Sequence, residues 1–194
     1  SVDLARLAGL RPAGVICEIM NEDGTMSRMP DLEVFSKDHD IGICTIADLI
    51  EYRMRTERFI KRAVETRIPT RDAGDFSIIV YENDVEPVQH IALVKGDISK
   101  DEPILVRVHS ECMTGDIFGS LRCDCGQQLQ NAMQMINEAG QGVILYIRQE
   151  GRGIGLLNKV RSYALMDEGN DLTDPDIEKG FRPDMRNYGL GAQA

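Results

Sequence analysis

The 194-residue chain is 42% hydrophobic and 28% charged with a formal net charge of −10, the composition of a soluble globular protein of one domain or two small ones. That acidity argues against a general nucleic-acid binder, so a polyanionic ligand would need a local basic patch. No apolar run reaches membrane-spanning length, and the opening Ser1-Val-Asp-Leu lacks the basic start of a signal peptide. Five cysteines, an odd number, fit a reducing cytoplasmic setting. The chain does not start with Met and ends on no completed element, so a piece trimmed at both ends is expected.

Residues 2–8 read as a helix, closed by Gly9 and followed by Pro12. Val15–Met20 is a short apolar run with Glu18 inside it, and Asn21-Glu-Asp-Gly24 is a reversing turn. Pro30-Asp31 opens a helix to about Lys37, and Ile41–Thr45 reads as a buried strand. Thr45-Ile-Ala-Asp48 has the form of a capping box. After it Leu49, Ile50, Met54, Phe59, Ile60, Ala63 and Val64 recur at helical spacing, predicting one helix to about Arg67. Its basic run, Arg53 to Arg62, reads as a solvated face, and the helix reads as a domain linker. Strands are predicted at 76–81, 88–95 and 104–109. In the last of these, alternation puts Arg107 and His109 on one face and Val106 and Val108 on the other. Gln127–Ala139 is a helix with Leu129, Ala132, Met133 and Ile136 on its core stripe, closed by Gly140. Val143–Ile147 is a continuous apolar strand, as a doubly covered central position requires.

Cys112, Cys123 and Cys125 fall within fourteen positions, just after His109 and Glu111. Thiolates this close suggest a soft metal more than a disulfide. Three ligands leave a fourth position for water or substrate, as catalytic zinc sites do, whereas structural sites are closed by four. The alternative is three reduced cysteines packed as small hydrophobes. A second signal is Arg148-Gln-Glu150-Gly-Arg152-Gly-Ile-Gly155, a glycine-rich turn between a strand and a helix. Such a turn aims backbone N–H groups at phosphate, although it is neither a P-loop nor a dinucleotide fingerprint. From Gly140 to Leu165 Arg148, Arg152, Lys159 and Arg161 face one acid, Glu150, a local +3 in an acidic chain. Asp184 and Arg186 lie two apart and on an extended segment would share a side.

Three segments together resemble GTP cyclohydrolase II, from about Arg67 onward. They are Arg107-Val-His-Ser-Glu-Cys112-Met-Thr-Gly-Asp116, Ser120-Leu-Arg-Cys-Asp-Cys-Gly126 and Arg148-Gln-Glu-Gly-Arg-Gly-Ile-Gly-Leu-Leu-Asn-Lys159. Residues 1 to about 55, identified by Val2-Asp-Leu-Ala-Arg-Leu-Ala-Gly-Leu-Arg-Pro through Met26, are similar to the C-terminal part of 3,4-dihydroxy-2-butanone 4-phosphate synthase. The order matches the bifunctional enzyme of riboflavin biosynthesis.

The resemblance implies a mixed α/β fold, with mixed sheets and flanking helices in two domains, 1–57 and 58–194. It implies zinc on Cys112, Cys123 and Cys125, and GTP contacts from Arg107, Val108, His109, Ser110, Glu111, Gln128, Glu150, Gly151 and Arg152. Asp184 takes the proton-acceptor place and Arg186 the proposed nucleophile place, for which an electrostatic clamp is the quieter reading. Tyr163 matches an active-site tyrosine, and Glu18 an essential glutamate of the synthase. The implied reaction opens the imidazole ring of GTP and releases formate and pyrophosphate. Zinc would supply hydroxide at neutral pH, and Mg²⁺ would neutralise the triphosphate. The partners implied are GTP, ribulose 5-phosphate for the other domain, and a second copy of the chain in a homodimer. A zinc-stabilised module that holds nucleotide without turnover is the alternative, and a different zinc hydrolase of purine nucleotides is another. The chain departs from the family at Leu172, where a nucleotide-contacting Thr is usual and Thr173 stands one step on. The family's later Thr-Asn-Asn-Pro-x-Lys segment is not found before Ala194.

Overall fold

The computed structural model describes residues 1–85, 87–99, 101–169, 186 and 188–194. Its architecture is mixed α/β, and the chain divides into two compact units, Ser1–Arg53 and Met54–Ala194.

The first unit is built from local signals. Helix α1, Val2–Leu7, stops before Gly9, whose φ of 71° suits the residue type that lacks a Cβ. Asn21 and Gly24 close the predicted turn, with the Gly24 N–H donating to the Asn21 carbonyl at 2.9 Å. Helix α2, Met29–His39, has proline in its first turn, and the Asp31 carboxylate accepts from the Arg28 N–H at 2.9 Å. Helix α3, Ile46–Thr56, opens on the predicted capping box: the Asp48 N–H donates to Thr45 Oγ1 at 3.0 Å and the Thr45 N–H to Asp48 Oδ2 at 3.1 Å. The strand expected at Ile41–Thr45 is not formed, and Ile41 and Ile43 are exposed. Apolar runs become strands only where a neighbouring strand takes their hydrogen bonds. Within this unit the only bridge is the isolated pair Met20–Met26.

The second unit is organised by a five-stranded sheet in the order β1-β2-β3-β5-β4. Its strands are β1 Ile60–Thr70, β2 Gly74–Asn83, β3 His90–Lys95, β4 Leu105–Ser110 and β5 Gly142–Ile147. All neighbours pair antiparallel except β4 and β5, which run parallel. A parallel pair needs a crossover, and helix α4, Cys125–Ala139, lies between the two strands in sequence. The long helix predicted to Arg67 is corrected: α3 ends at Thr56 and Ile60 starts a strand. A register shift between Arg62 and Val64 breaks the two-residue alternation there, which is why the apolar spacing imitates a helix. Pro69 is tolerated because β1 is an edge strand.

The stripe of α4 packs as expected. Ile136 joins Ala73, Phe76 and Ile144 in one buried cluster, with Leu129, Ala132 and Met133 against it. The other sheet face buries Ile60, Ile79, Tyr81 and Ala92. Val106 and Val108 share that second face but remain 59% and 44% exposed. The final residues, which sequence alone left without structure, are tied into this unit. Gln193 accepts from the Phe59 N–H at 2.8 Å and donates to the carbonyls of Met54 and Glu57 at 2.9 and 3.0 Å. Leu190 is buried, and a Cβ on Gly191 would meet Ile147 Cδ1 at 2.7 Å.

Candidate metal centre

The site forms where β4, the loop after it, the start of α4 and the loop after β5 converge. Cys112 follows β4 and caps a short π-helix, Met113–Ile117, its sulfur accepting from the Gly115 N–H at 3.4 Å. Cys125 is the first residue of α4. Cys112 Sγ lies 3.5 Å from Cys123 Sγ, and the three sulfurs all lie within 4.8 Å of one another. Tetrahedral zinc bonded to sulfur at about 2.3 Å sets sulfurs about 3.8 Å apart, so the spacing fits such an ion. The cradle is tight. A Cβ on Gly115 would stand 2.9 Å from Cys123 Sγ and 3.1 Å from Cys112 Sγ, so no other residue fits without moving a sulfur. Among the described residues no fourth His, Cys, Asp or Glu joins the group.

The electrostatics of the three thiols are unequal. Burial works to raise the Cys112 thiol, but hydrogen bonds from Lys159, Thr114, the Gly115 N–H and Cys123 outweigh it and hold its pKa below the ordinary 9.0. The Cys125 thiol is pushed up to about 12, first by burial and then by its bonds to Cys112 and Cys123. A metal binding here must displace that proton.

Behind the cysteines a buried network fixes the loop. His109 is 2% exposed, and its Nε2 lies 3.1 Å from Asp116 Oδ1. Asp116 Oδ2 also accepts from the Cys112 N–H at 3.0 Å and from the Tyr146 hydroxyl at 2.8 Å. The His109 and Tyr146 rings stack with centroids 5.5 Å apart. Burial and the Asp116 carboxylate both push the Tyr146 hydroxyl pKa up, so it stays a donor. The sequence assigns no role to Asp116 or Tyr146. The signal was present in the strand alternation, which puts His109 on the buried face where a partner is obligatory.

The remaining expected residues divide by position. Arg107 donates to Gln128 Oε1 at 2.6 Å, joining β4 to α4 beside the cysteines. Val108 points to the opposite sheet face, so its backbone is what it can offer at this site. Ser110 Oγ accepts from Gln149 Nε2 at 3.2 Å, and Glu111 lies 3.6 Å from Arg148 Nε. Glu150 is engaged: Oε2 accepts from the Met113 N–H at 2.6 Å, and Oε1 accepts from the Gly151 N–H at 3.0 Å and from Lys159 at 2.7 Å.

Gly151, Arg152 and Gly153 have φ of 63°, 57° and 91°, a run of left-handed residues before helix α5, Gly155–Asp167. Arg152 has a side chain in that region at a cost of about 1–3 kcal/mol, the kind of strain that collects at binding loops. Tyr163 on α5 is half-buried, with the Arg122 guanidinium 5.1 Å above its ring. Arg122 also donates to Asp167 at 2.7 and 2.8 Å. Arg186 is exposed, its guanidinium 5.6 Å from the Tyr188 ring centre. Asp184, Leu172 and Thr173 lie outside the described residues. Glu18 is exposed in the first unit. A cleft of about 620 Å³ opens beside Cys123, lined by Gly115, Ser120, Arg122, Asp124 and Gln127 among others.

The same region carries the decisive comparison. GTP cyclohydrolase II, as a family, matches residues 61–194, which include all three cysteines and the glycine-rich loop. The chain belongs to the GTP cyclohydrolase II family. The family 3,4-dihydroxy-2-butanone 4-phosphate synthase matches residues 1–52. Ahead of its cyclohydrolase II region, the chain therefore carries a synthase-family segment, the order expected of a bifunctional riboflavin-biosynthesis protein. Riboflavin biosynthesis proteins RibBA of Bacillus mycoides (strain KBAB4) and Bacillus cereus (strain ATCC 10987) are each 58% identical to it over 193 residues, 100% of this chain and 48% of theirs. RibBA of Bacillus cytotoxicus is 56% identical over the same span. The chain thus spans about half the length of the curated relatives it matches. Among solved structures, RibBX of A. baumannii, described as a two domain 3,4-dihydroxy-2-butanone 4-phosphate synthase, aligns with a TM-score of 0.54 and 33% identity. That alignment covers 97% of this chain and 54% of RibBX. None of the described helices is long and apolar enough to cross a membrane.

Proposed function

We propose that this chain carries the chemistry of a zinc-dependent GTP cyclohydrolase II: opening of the imidazole ring of GTP, with release of formate and pyrophosphate. The product is 2,5-diamino-6-ribosylamino-4(3H)-pyrimidinone 5′-phosphate, which makes this the first step of riboflavin biosynthesis. The observation that carries the proposal is the three-sulfur cradle with no fourth ligand among the described residues, set within the family match. Zinc on Cys112, Cys123 and Cys125 would supply an electrophile and an activated water at neutral pH.

The chain's own groups position the substrate. Arg107 and Gln128, already paired beside the cysteines, would orient the purine with Ser110, Glu111 and the backbone of Val108 and His109. Gly151 and Arg152, held left-handed, would meet the phosphates with Glu150 as their anchor, and Mg²⁺ would supply charge neutralisation for the triphosphate. Asp184 would accept a proton, Arg186 would engage the α-phosphate as nucleophile or clamp, and Tyr163 would line the site. In this reading residues 58–194 form the cyclohydrolase domain. Residues 1–57 form the C-terminal part of a synthase domain that makes 3,4-dihydroxy-2-butanone 4-phosphate from ribulose 5-phosphate, with Glu18 serving that site. The whole protein would be a cytoplasmic homodimer.

The test is zinc content with formate release from GTP and Mg²⁺, on this chain and on Cys123→Ser. Zinc near one per chain, and formate lost in the variant, is expected. Zinc and GTP binding without formate would favour the second reading, a nucleotide-binding module without turnover. Freshly purified protein without zinc would sink the metal site.

A further inference from the structure

Lys159 belongs to no role assigned so far, yet it sits deeper in the site than most of the expected residues. Its Nζ lies 3.0 Å from Cys112 Sγ and 2.7 Å from Glu150 Oε1, and the Lys159 and Glu150 side chains are 12% and 10% exposed. An ion pair with Glu150 alone would be an ordinary half-buried pair. What sets it apart is the sulfur, which the ammonium approaches more closely than the Gly115 N–H at 3.4 Å or Thr114 Oγ1 at 3.7 Å. Glu150 is itself held by the backbone of both loops, at Met113 and at Gly151. Gly151 leaves room for the lysine stem, since a Cβ there would stand 3.1 Å from Lys159 Cβ.

We propose that Lys159 is a positioning residue of the cysteine site. Its ammonium, tethered by Glu150, fixes the Cys112 sulfur and weakens it as a metal donor. The inference rests on the zinc reading above. The physical reason is that a charge-assisted hydrogen bond draws electron density from a thiolate. The metal it ligates then keeps more positive charge, which partly offsets three anionic ligands on one divalent ion. Lys159 also separates the Glu150 carboxylate from the Cys112 thiolate, two like charges that would otherwise face each other. Partners behind a ligand typically change metal affinity or activity about 10–100-fold.

The experiment loads the full chain with Co²⁺ in place of zinc. It reads the sulfur-to-cobalt charge-transfer band in wild type, Lys159→Met, Lys159→Arg and Glu150→Gln. Zinc affinity is measured alongside by competition with a chelator. The expected result is a shift of the band to lower energy in Lys159→Met, because an unbonded thiolate is the better electron donor. Zinc affinity falls about 10-fold or more in the same variant, because the loss of the contact that holds the Cys112 sulfur in place outweighs its gain in donor strength. Lys159→Arg, which keeps a cationic donor, restores the band. Glu150→Gln, which loosens the tether, shifts it in the same direction by less. A band unmoved in both Lys159→Met and Glu150→Gln overturns the inference, and if Lys159→Met does not fold, an unmoved band in Glu150→Gln does so alone. Wild type that takes up no cobalt overturns the zinc reading itself.

Discussion

Residues 1–53 and residues 54–194 reach their structure by different routes. None of residues 1–53 is buried, whereas the second unit buries two apolar clusters on either face of its sheet. In the first unit helices still form, because proline at a first turn, a capping box and a left-handed C-terminal residue act within a few positions. Strands do not, because their hydrogen bonds need a neighbour. In the second unit the sheet supplies that neighbour, and with it the rigid floor that the cysteine site stands on. A metal cradle needs its ligands placed to within about 0.5 Å, a precision that belongs on the unit with a packed core.

The comparison is broken most severely at the metal. Cys123→Ser should lose stoichiometric zinc and formate release, with at least a 100-fold fall in rate, while residues 1–53 keep their helices by NMR. Next comes the core. Ile144→Ala removes a side chain with 0% exposure and should cost about 2–5 kcal/mol. Val15→Ala, at a position 99% exposed, should stay within about 0.5 kcal/mol. Equal costs by urea denaturation would erase the distinction between the units. Gly115→Ala should leave the fold intact but push the Cys112 and Cys123 sulfurs apart. A fall of about 10-fold in zinc affinity is expected, measured against a chelator. The smallest effect lies in the first unit. Hydrogen bonds from the Thr45 side chain and then its backbone N–H hold Asp48 below the ordinary carboxylate value of 3.8. A depressed folded pKa gives stability that is present above about pH 4 and lost as pH falls through the lower folded value. Protection of the first-turn amides of α3, taken relative to their intrinsic exchange rates, should therefore fall below pH 4 in wild type. In Asp48→Asn that protection should already be lower at neutral pH and insensitive to that drop.

Much of the site was legible because its signals are local. The two thiols of Cys123-Asp-Cys125, the strand ending in Arg107 and His109, and the glycines around Arg152 are near neighbours in sequence, and their spacing restricts their chemistry. The stripe of α4 was legible for the same reason, through a period of 3.6. The error at 57–67 was also local. A β-bulge shifts the alternation at Arg62–Val64, and only pairing with β2 identifies that segment as a strand. Val106 and Val108 look like core from their alternation, yet they sit on the edge strand of the sheet and stay exposed.

The sequence by itself determined that three thiols lie within fourteen positions, that basic residues flank a glycine-rich turn, and where most helices start and stop. These depend on covalent spacing and on hydrogen bonds across three or four residues. Only the tertiary structure decided that Asp116 and Tyr146 hold His109 and the Cys112 backbone, that Gln193 ties down the start of the second unit, and that Lys159 reaches Cys112 across 47 positions of chain. Those contacts follow from which strands the sheet sets side by side. That choice minimises the exposed apolar area and unpaired backbone of the whole unit, a quantity no short stretch of sequence contains.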